Sequence, residues 1–497
     1  MIFTLLILIG GLLAIYYLIG IYNETYWKKR GITFYPKSKV LGPMGQYITS
    51  SRPLFEIFND IYKTYSDEPV VGIGSLFNPA LFVKDPVNVY HVLTADFNSF
   101  SHRGFDMNEG DILANNVVFI NGDRWKLIRQ KMTPLFTATK LKSMYYLMDR
   151  SAQDFVDYLN KRPELLKGNA FNTLCTFTNA AVGAAVFGIE NESIFESPFL
   201  KMALSAFRPT IKFNLTFAIG SLNARLYKLL NLTIFKDHEK LFIPAIKEVI
   251  RKREELKVKK HDFADLCVNL KSKGTMKDHD SGLELQPTDE LLAAQAFSFY
   301  IAGVEPTGTA MFNILVELGR NPDSLKRLHK EIDDSFEKYN NEMTYDAIQE
   351  MEYLDMVHDE ALRMHPPIGY LTRQCVKDTV LPVGNVKVEK GTKIFTPIYS
   401  IHHDPKFYTN PEVFNPERFS RENSKNINNN TFMPFGEGKR LCIGIRYGTL
   451  QGKAGLVHLL RHFTVKTNIK EPGFKYSKQT IQVRPTNVDV QFIPRNH

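Results

Sequence analysis

The sequence predicts a mainly helical protein with a small β region, preceded by one N-terminal transmembrane helix. Residues 2–22 carry no charge and are long enough to cross a bilayer as a helix. Residues 291–303 are apolar on most sides and follow Thr288, a good helix cap, which predicts a long buried helix. Two short apolar runs, at 70–73 and 80–83, are the strand candidates and contribute to a small β region.

The basic cluster after the apolar N-terminal run predicts how the chain is oriented. Lys28, Lys29 and Arg30 follow the run directly, and tyrosines lie toward its end, as in aromatic belts. The positive-inside rule then places everything after Arg30 in the cytosol. A cleaved signal peptide is the alternative, but no cleavage site is clear. The expected division is an anchor at 1–22, a linker at 23–50 and one catalytic domain at 51–497.

Composition excludes several classes of protein. The net charge is +9, with no long basic tail, so nucleic-acid binding has little support. The four cysteines lack C-x-x-C spacing, which argues against a disulfide framework or a zinc site. Cys175, Cys267 and Cys375 are interpreted as buried apolar side chains. The histidines have no ligand spacing, and His402-His403 is expected in a polar loop.

The fourth cysteine, Cys442, lies in a glycine-rich stretch, F-G-E-G-K-R-L-C-I-G, at 435–444. A helix is expected to begin just after it, and a helix N-terminus favours the thiolate, the form that binds metals. Gly438 and Gly444 are expected to let the backbone turn tightly beside a flat ligand. Arg440 supplies a positive charge suited to a carboxylate on that ligand.

The spacing F-x-x-G-x-R-x-C-x-G resembles the haem-thiolate signature of the cytochrome P450 family, with every fixed position filled. A lone cysteine in an ordinary turn is the alternative. The resemblance implies the mostly helical cytochrome P450 fold, with haem b bound between helices. It implies Cys442 as the axial thiolate ligand of the iron, with Phe435 and Arg440 beside the cofactor.

A tryptophan and an arginine four residues apart predict a second part of the cofactor site. Trp125 and Arg129 lie on one face of a predicted helix and offer only hydrogen-bond donors. The resemblance implies that this pair holds a haem propionate. It also implies Arg373 as a further hydrogen-bond donor to a propionate, with Arg103 as a weaker candidate for the same role. Residues 121–137 resemble the insect microsomal, xenobiotic-metabolising branch of the family.

The predicted buried helix resembles the family's oxygen-binding helix, A-G-x-[DE]-T-[TS], with one departure. Ala302, Gly303 and Glu305 match, but Pro306 stands where threonine is usual and Thr307 follows it. Splitting dioxygen consumes two protons, which a hydroxyl normally helps to relay. Proline removes the donor to the Ala302 carbonyl and is expected to kink the helix. The hypothesis is that Glu305, Thr307 and a water carry the protons instead.

Two further motifs follow in the family's order. Glu360-Ala361-Leu362-Arg363 resembles its E-x-x-R helix, and Pro416-Glu417-Arg418-Phe419 resembles the partner segment. The implied trio of Glu360, Arg363 and Arg418 is a buried network with a structural role. By the same resemblance the substrate cavity is lined by Ala302, Ile368, Tyr370 and Leu371.

The implied function is NADPH-dependent monooxygenation of an apolar compound, a xenobiotic or an endogenous lipid or hormone, at the endoplasmic reticulum membrane. Electrons are expected from NADPH–cytochrome P450 reductase, with cytochrome b5 as a second donor. The expected docking cations are Arg124, Lys126, Lys131, Lys140, Lys439, Arg446 and Lys453. Pro306 keeps open an isomerase or dehydratase that acts on a lipid peroxide without NADPH. A non-catalytic haem carrier is the third alternative.

Overall fold

The N-terminal apolar run forms a long helix, α1 (Ile2–Lys28), whose mean hydropathy over its most apolar stretch is 2.5. By length and composition it is the one helix in the described part of the chain that could span a membrane. The helix ends at Lys28 rather than at residue 22. Its last turns pack on the folded domain, where Asn23 donates hydrogen bonds to the carbonyls of Lys39 and Leu76. Part of the predicted linker is therefore helical and docked.

The computed structural model describes residues 2–49, 52–188, 195–256, 259–260, 262–428, 430–478 and 482–495. The predicted boundary between residues 50 and 51 lies outside the described residues. The α-helices after α1 are α2 (Met44–Ile48), α3 (Leu54–Thr64), α4 (Pro86–Tyr90), α5 (Gly122–Met132), α6 (Ala138–Asn160), α7 (Ala170–Phe187), α8 (Pro198–Ser205), α9 (Ile211–Leu222), α10 (Ala224–Leu229), α11 (Lys236–Leu256), α12 (Phe263–Lys273), α13 (Asp289–Arg320), α14 (Pro322–Lys338), α15 (Tyr345–Gln349), α16 (Glu352–Met364), α17 (Ile398–His402) and α18 (Ile445–His462).

The strands form small sheets, which confirms the predicted mainly helical class. They are β1 (Val70–Ile73), β2 (Ala80–Val83), β3 (Met276–Lys277), β4 (Glu284–Leu285), β5 (Leu371–Gln374), β6 (Thr379–Leu381), β7 (Val386–Val388), β8 (Lys393–Thr396), β9 (Phe463–Ile469) and β10 (Val488–Pro494). The largest sheet has the order β1-β2-β8-β5, in which β2 and β8 run parallel and the other pairs antiparallel. Both strands predicted near the N-terminus form where the sequence placed them.

Helix α13 crosses the helical core and is the element that positions the oxygen-binding motif. Thr288 caps it by accepting a hydrogen bond from the Leu291 N–H, as the sequence predicts. The helix continues through Pro306 to Arg320, so the proline does not end it. Most of its residues are buried, because α7, α11, α16 and α18 all pack against it.

One local expectation needs correction. His402, expected in a polar loop, ends the short helix α17 and is fully buried. Tertiary packing there overrides the local polarity that suggested a loop.

Candidate functional site

The loop that carries Cys442 is closed by its own backbone. The Cys442 N–H donates a hydrogen bond to the Phe435 carbonyl over 3.0 Å, and α18 begins three residues later, at Ile445. Gly438 has φ +70°, a conformation that favours glycine, and an added Cβ would lie 2.1 Å from the Leu93 carbonyl oxygen. Gly436, which sequence reasoning did not single out, has φ +79°. Gly438 and Gly436 therefore make the turn.

Gly444, the other glycine expected to make the turn, has a backbone conformation that other residues can also adopt. Its φ is −96°, and an added Cβ would make only an ordinary 3.7 Å contact with Phe136. We therefore expect Gly438→Ala to distort the loop and lower haem content sharply, and the matched Gly444→Ala to retain haem. The measurement is haem per polypeptide in purified protein. Equal haem content in the two variants would contradict this account of the turn.

Cys442 faces the interior of the protein rather than its outer surface. Its side chain is accessible to solvent, unlike those of Cys175, Cys267 and Cys375, which are buried as predicted. Burial nevertheless raises the pKa of the Cys442 thiol, and a Gly444 N–H and the charges of Arg129 and Arg103 oppose that rise. The helix N-terminus therefore does not by itself produce the thiolate, whereas a bound metal deprotonates a coordinating thiol outright.

Arginines converge beside this loop from four different parts of the chain. Arg129 donates to the Leu441 carbonyl over 2.9 Å, and Arg103 donates to the Arg440 carbonyl over 3.4 Å. The Arg440 guanidinium lies 3.9 Å from the centre of the Trp125 ring. It also donates to the Ile120 carbonyl and to the Asn121 side chain. Arg373, on β5, is buried and adjoins Arg103.

These guanidiniums have no carboxylate partner among the described residues. Burial, together with neighbouring guanidinium charges, lowers the pKa of Arg373 to about 9 and that of Arg440 to about 8. Burial likewise lowers the pKa of Arg103 to about 10. The Nε atoms of Arg103 and Arg373 are buried and make no hydrogen bond within the described structure. A cluster of buried cations with unused donors is suited to a ligand with several carboxylates.

Glu360, Arg363 and Arg418 are brought together in the structure. Arg363 makes a bidentate pair with Glu360, with nitrogen–oxygen distances of 2.8 and 2.9 Å. Arg418 contacts the same carboxylate at 3.2 Å, and the Asn415 N–H donates to it. The side chains of Glu360 and Arg363 have no exposed surface. The Glu360–Arg363 pair is fully buried and Arg418 lies at the edge of the network, whose structural role stays a prediction.

His402 connects this network to the Cys442 loop, a role that sequence reasoning missed. Its Nδ1 lies 3.2 Å from the Arg363 carbonyl, and its Nε2 accepts a hydrogen bond from the Met433 N–H. Burial, and then the Arg363 charge, lowers the pKa of His402 to about 3, so the ring is neutral and Nδ1 is the donor. Met433 precedes the loop and accepts from the Gly436 N–H. The H-H pair in the sequence carries no signal for this bridge.

The predicted residues of α13 lie on different sides of the helix. Ala302 is exposed in the middle of an otherwise buried helix, and Pro306, one turn later, is half-buried; this face borders an interior space. Glu305 is buried three residues after Ala302, and its charge acts on Cys175 and Arg484. Thr307 is buried against α18. Thr307, five residues after Ala302, does not share the face of Ala302.

The three predicted cavity residues that follow α16, namely Ile368, Tyr370 and Leu371, differ in their burial and in what they contact. Ile368 and Leu371 are half-buried, and Leu371 lies against Gly436 of the Cys442 loop. Tyr370 is instead buried in the sheet core, with its ring centre 5.1 Å from that of Phe58. Successive side chains of an extended segment point to opposite faces, which separates Leu371 from Tyr370. Tyr370 therefore packs away from Leu371, and its place in the cavity stays a prediction.

Lys453 and Lys126, both expected on a docking surface, pair with carboxylates. Lys453 is buried, with its Nζ 2.8 Å from Asp355, and is removed from that surface. Lys126 is exposed and pairs with Asp278 and Asp280. Lys439 and Arg446, which flank Cys442 in the sequence, are exposed. The local charge near the cysteine is basic.

Comparison with known proteins decides the family. The family model for Cytochrome P450 matches residues 35–492. The chain belongs to the cytochrome P450 family. It is 32% identical over 467 residues to "Cytochrome P450 6B2" of Helicoverpa armigera, an alignment that covers 93% of this chain and 90% of that protein. It is 33% identical to "Cytochrome P450 6k1" of Blattella germanica, with 93% and 91% covered. "Cytochrome P450 9e2" of the same organism is also 33% identical, with 93% and 92% covered.

Membership makes this protein an oxidoreductase of the monooxygenase type with a haem cofactor held by a cysteine thiolate. The chain's residues fit that group. Buried arginines without carboxylate partners match two propionates, Cys442 is the cysteine whose side chain is accessible, and Ala302 marks an interior space. Within the described residues there is no cluster of His, Cys, Asp or Glu that could hold another metal ion.

Proposed function

We propose that this cytochrome P450 inserts one oxygen atom from dioxygen into an apolar small molecule, using electrons from NADPH delivered by NADPH–cytochrome P450 reductase. The observation that carries the proposal is the accessible Cys442 beside Arg103, Arg129, Arg373 and Arg440, whose charges are balanced by no carboxylate in the described part of the chain. Cys442 holds the iron, the arginines hold the propionates, and the bound haem supplies the oxygen chemistry. The insect relatives support a xenobiotic or an endogenous lipid or hormone as substrate.

The chain itself contributes enclosure and proton delivery. Ala302, Ile368 and Leu371 present small or apolar surfaces to the substrate, which exclude water and favour apolar molecules. Glu305 and Thr307 are the proton-carrying groups in this proposal, because proline at position 306 has neither a hydroxyl nor an N–H. Both are buried within one turn of Pro306, which supports the assignment, and Thr307 needs water to reach the face of Ala302.

Thr307→Ala is expected to raise the peroxide released per NADPH consumed, because protons then arrive more slowly and reduced oxygen escapes. Thr309→Val is the matched control: Thr309 lies on the same helix, but its hydroxyl contacts the Gln482 side chain at 3.3 Å. The measurement is peroxide, product and NADPH in one reaction. Unchanged coupling in Thr307→Ala would remove this residue from the relay.

Exposed residues support the proposed electron donors and the proposed membrane location. Lys439 and Arg446 are exposed near Cys442, which favours an acidic electron donor such as the reductase or cytochrome b5. The helix α1 supports a single-pass anchor, with Lys28, Lys29 and Arg30 favouring a cytosolic catalytic domain at the endoplasmic reticulum. Ile211, Leu215, Leu229 and Leu230 are exposed apolar side chains that suit contact with membrane lipid.

The test is a reconstitution with reductase, NADPH and isotopically labelled dioxygen, using a panel of apolar probes. Label in the product supports the monooxygenase. Rearrangement of a lipid peroxide without NADPH would select the alternative, an isomerase or dehydratase, which Pro306 keeps open. Haem binding with no turnover of either kind would select a haem carrier.

A further inference from the structure

We propose that Gln451 is a positioning residue for the turn of α13 that precedes Pro306. The inference rests on the proposed monooxygenase function for its effect on coupling, but not for its structural readout. Gln451 lies on α18, the helix that follows Cys442, and is completely buried. It contacts α13 in the interior of the protein, where a buried amide needs hydrogen-bond partners.

The amide of Gln451 ties three helices together. Its Nε2 donates to the Thr178 carbonyl on α7 over 3.1 Å and to the Gly303 carbonyl on α13 over 3.4 Å. Both partners are carbonyls, so the amide nitrogen must face them, which settles the orientation of the side chain. Helix carbonyls normally bond within their own helix, and an external donor at Gly303 is therefore a specific contact.

A second external donor acts on the next carbonyl of the same turn. The Thr178 hydroxyl donates to the Val304 carbonyl over 2.9 Å. The carbonyl before these two, that of Ala302, has no helical donor because Pro306 lacks an N–H. Three consecutive carbonyls before the proline thus have unusual partners. The Ala302 carbonyl lacks its helical donor, and the Gly303 and Val304 carbonyls each accept from a side chain of another helix, α18 and α7 respectively. Gln451 also binds the Thr178 carbonyl, so the two donors form one unit.

This unit lies beside the residue proposed to carry protons. A Cβ on Gly448 would lie 3.7 Å from the Thr307 hydroxyl, and one on Gly452 would lie 3.7 Å from the Thr307 methyl. Gly448 and Gly452 precede and follow Gln451 on α18. A Cβ at either glycine would make only ordinary van der Waals contact with Thr307, so Thr307 packs on this face of α18 beside Gln451, which sets the register of that contact. A shift of this turn would therefore move Thr307 and Ala302 together.

The test compares holoenzyme carrying Gln451→Leu with holoenzyme carrying Tyr447→Phe. Leucine keeps most of the volume of glutamine but donates nothing. Tyr447 is a matched control because it is buried on the same helix, and its hydroxyl contacts the Ala181 carbonyl of α7, not α13. Thr178→Val and Thr178→Ser form a second pair, in which serine retains the hydroxyl.

Two readouts are expected to move. Hydrogen exchange of the amides at 303–309 should accelerate in Gln451→Leu and Thr178→Val, and stay near wild type in Tyr447→Phe and Thr178→Ser. Peroxide per NADPH should rise by about threefold to tenfold in the first two, the range expected for losing one buried hydrogen bond. Haem content should be similar in all four variants, since none of them alters the Cys442 loop.

Wild-type exchange rates in both Gln451→Leu and Thr178→Val would overturn the inference whatever the catalytic result. Faster exchange with unchanged coupling in an active enzyme would also overturn it, because the turn would then move without consequence for the protons. If wild-type protein consumed no NADPH, the proposed function would fail, and the exchange readout would still decide the structural part.

Discussion

Cys442→Ser protein is expected to lose NADPH-dependent product formation and the carbon-monoxide difference spectrum of thiolate-ligated haem. A serine hydroxyl is a far weaker donor to iron than a thiolate, and the thiolate favours cleavage of the oxygen–oxygen bond. The arginines remain in place, so some haem should still bind with an altered spectrum. The measurements are the reduced carbon-monoxide spectrum, haem per polypeptide and turnover.

The matched control for this variant is Cys375→Ser. Cys375 is buried beside the sheet, and its sulfur contacts the Lys377 carbonyl at 3.0 Å, a contact that a serine hydroxyl can also make. Its spectrum and turnover should remain close to wild type. A Cys442→Ser protein with a wild-type spectrum would mean that the iron ligand lies elsewhere.

Glu360→Ala is expected to yield protein that is largely free of haem and less stable by about 3–5 kcal/mol. The change leaves Arg363 with no carboxylate in a site with no exposed surface, and it also removes the acceptor of Arg418. Because Arg363 reaches the Cys442 loop through His402 and Met433, loosening the network should loosen the loop. Haem content and urea unfolding measure the two effects.

Glu417→Ala is the control for the network. Glu417 belongs to the same short segment as Arg418 but forms an exposed pair with Arg327. Exposed pairs contribute about 0–1 kcal/mol, so this variant should keep its haem and nearly all its stability. Normal haem content in Glu360→Ala would refute the role assigned to the network.

Sequence reasoning performed best where one short stretch determines its own structure. The Thr288 cap and the strands at 70–73 and 80–83 follow from local propensity, and the structure has them in place. Local pattern was a poor guide where a neighbour distant in the sequence decides how a side chain packs. Tyr370 follows Ile368 in the chain, yet packing against Phe58 turns it into the sheet core. His402 looked polar and exposed, yet it is a buried bridge.

By itself the sequence determined the membrane-spanning composition of the first helix, the haem-thiolate signature around Cys442 and the substitution of proline for threonine at 306. Each depends on composition or on spacing along a few residues. The resemblance had already named Arg103, Arg129, Arg373 and Arg440, but only the tertiary structure showed that they converge beside the Cys442 loop, because they come from separate segments. It alone placed Gln451 at the Gly303 carbonyl, because a contact between two helices depends on how they pack and not on the pattern within either one.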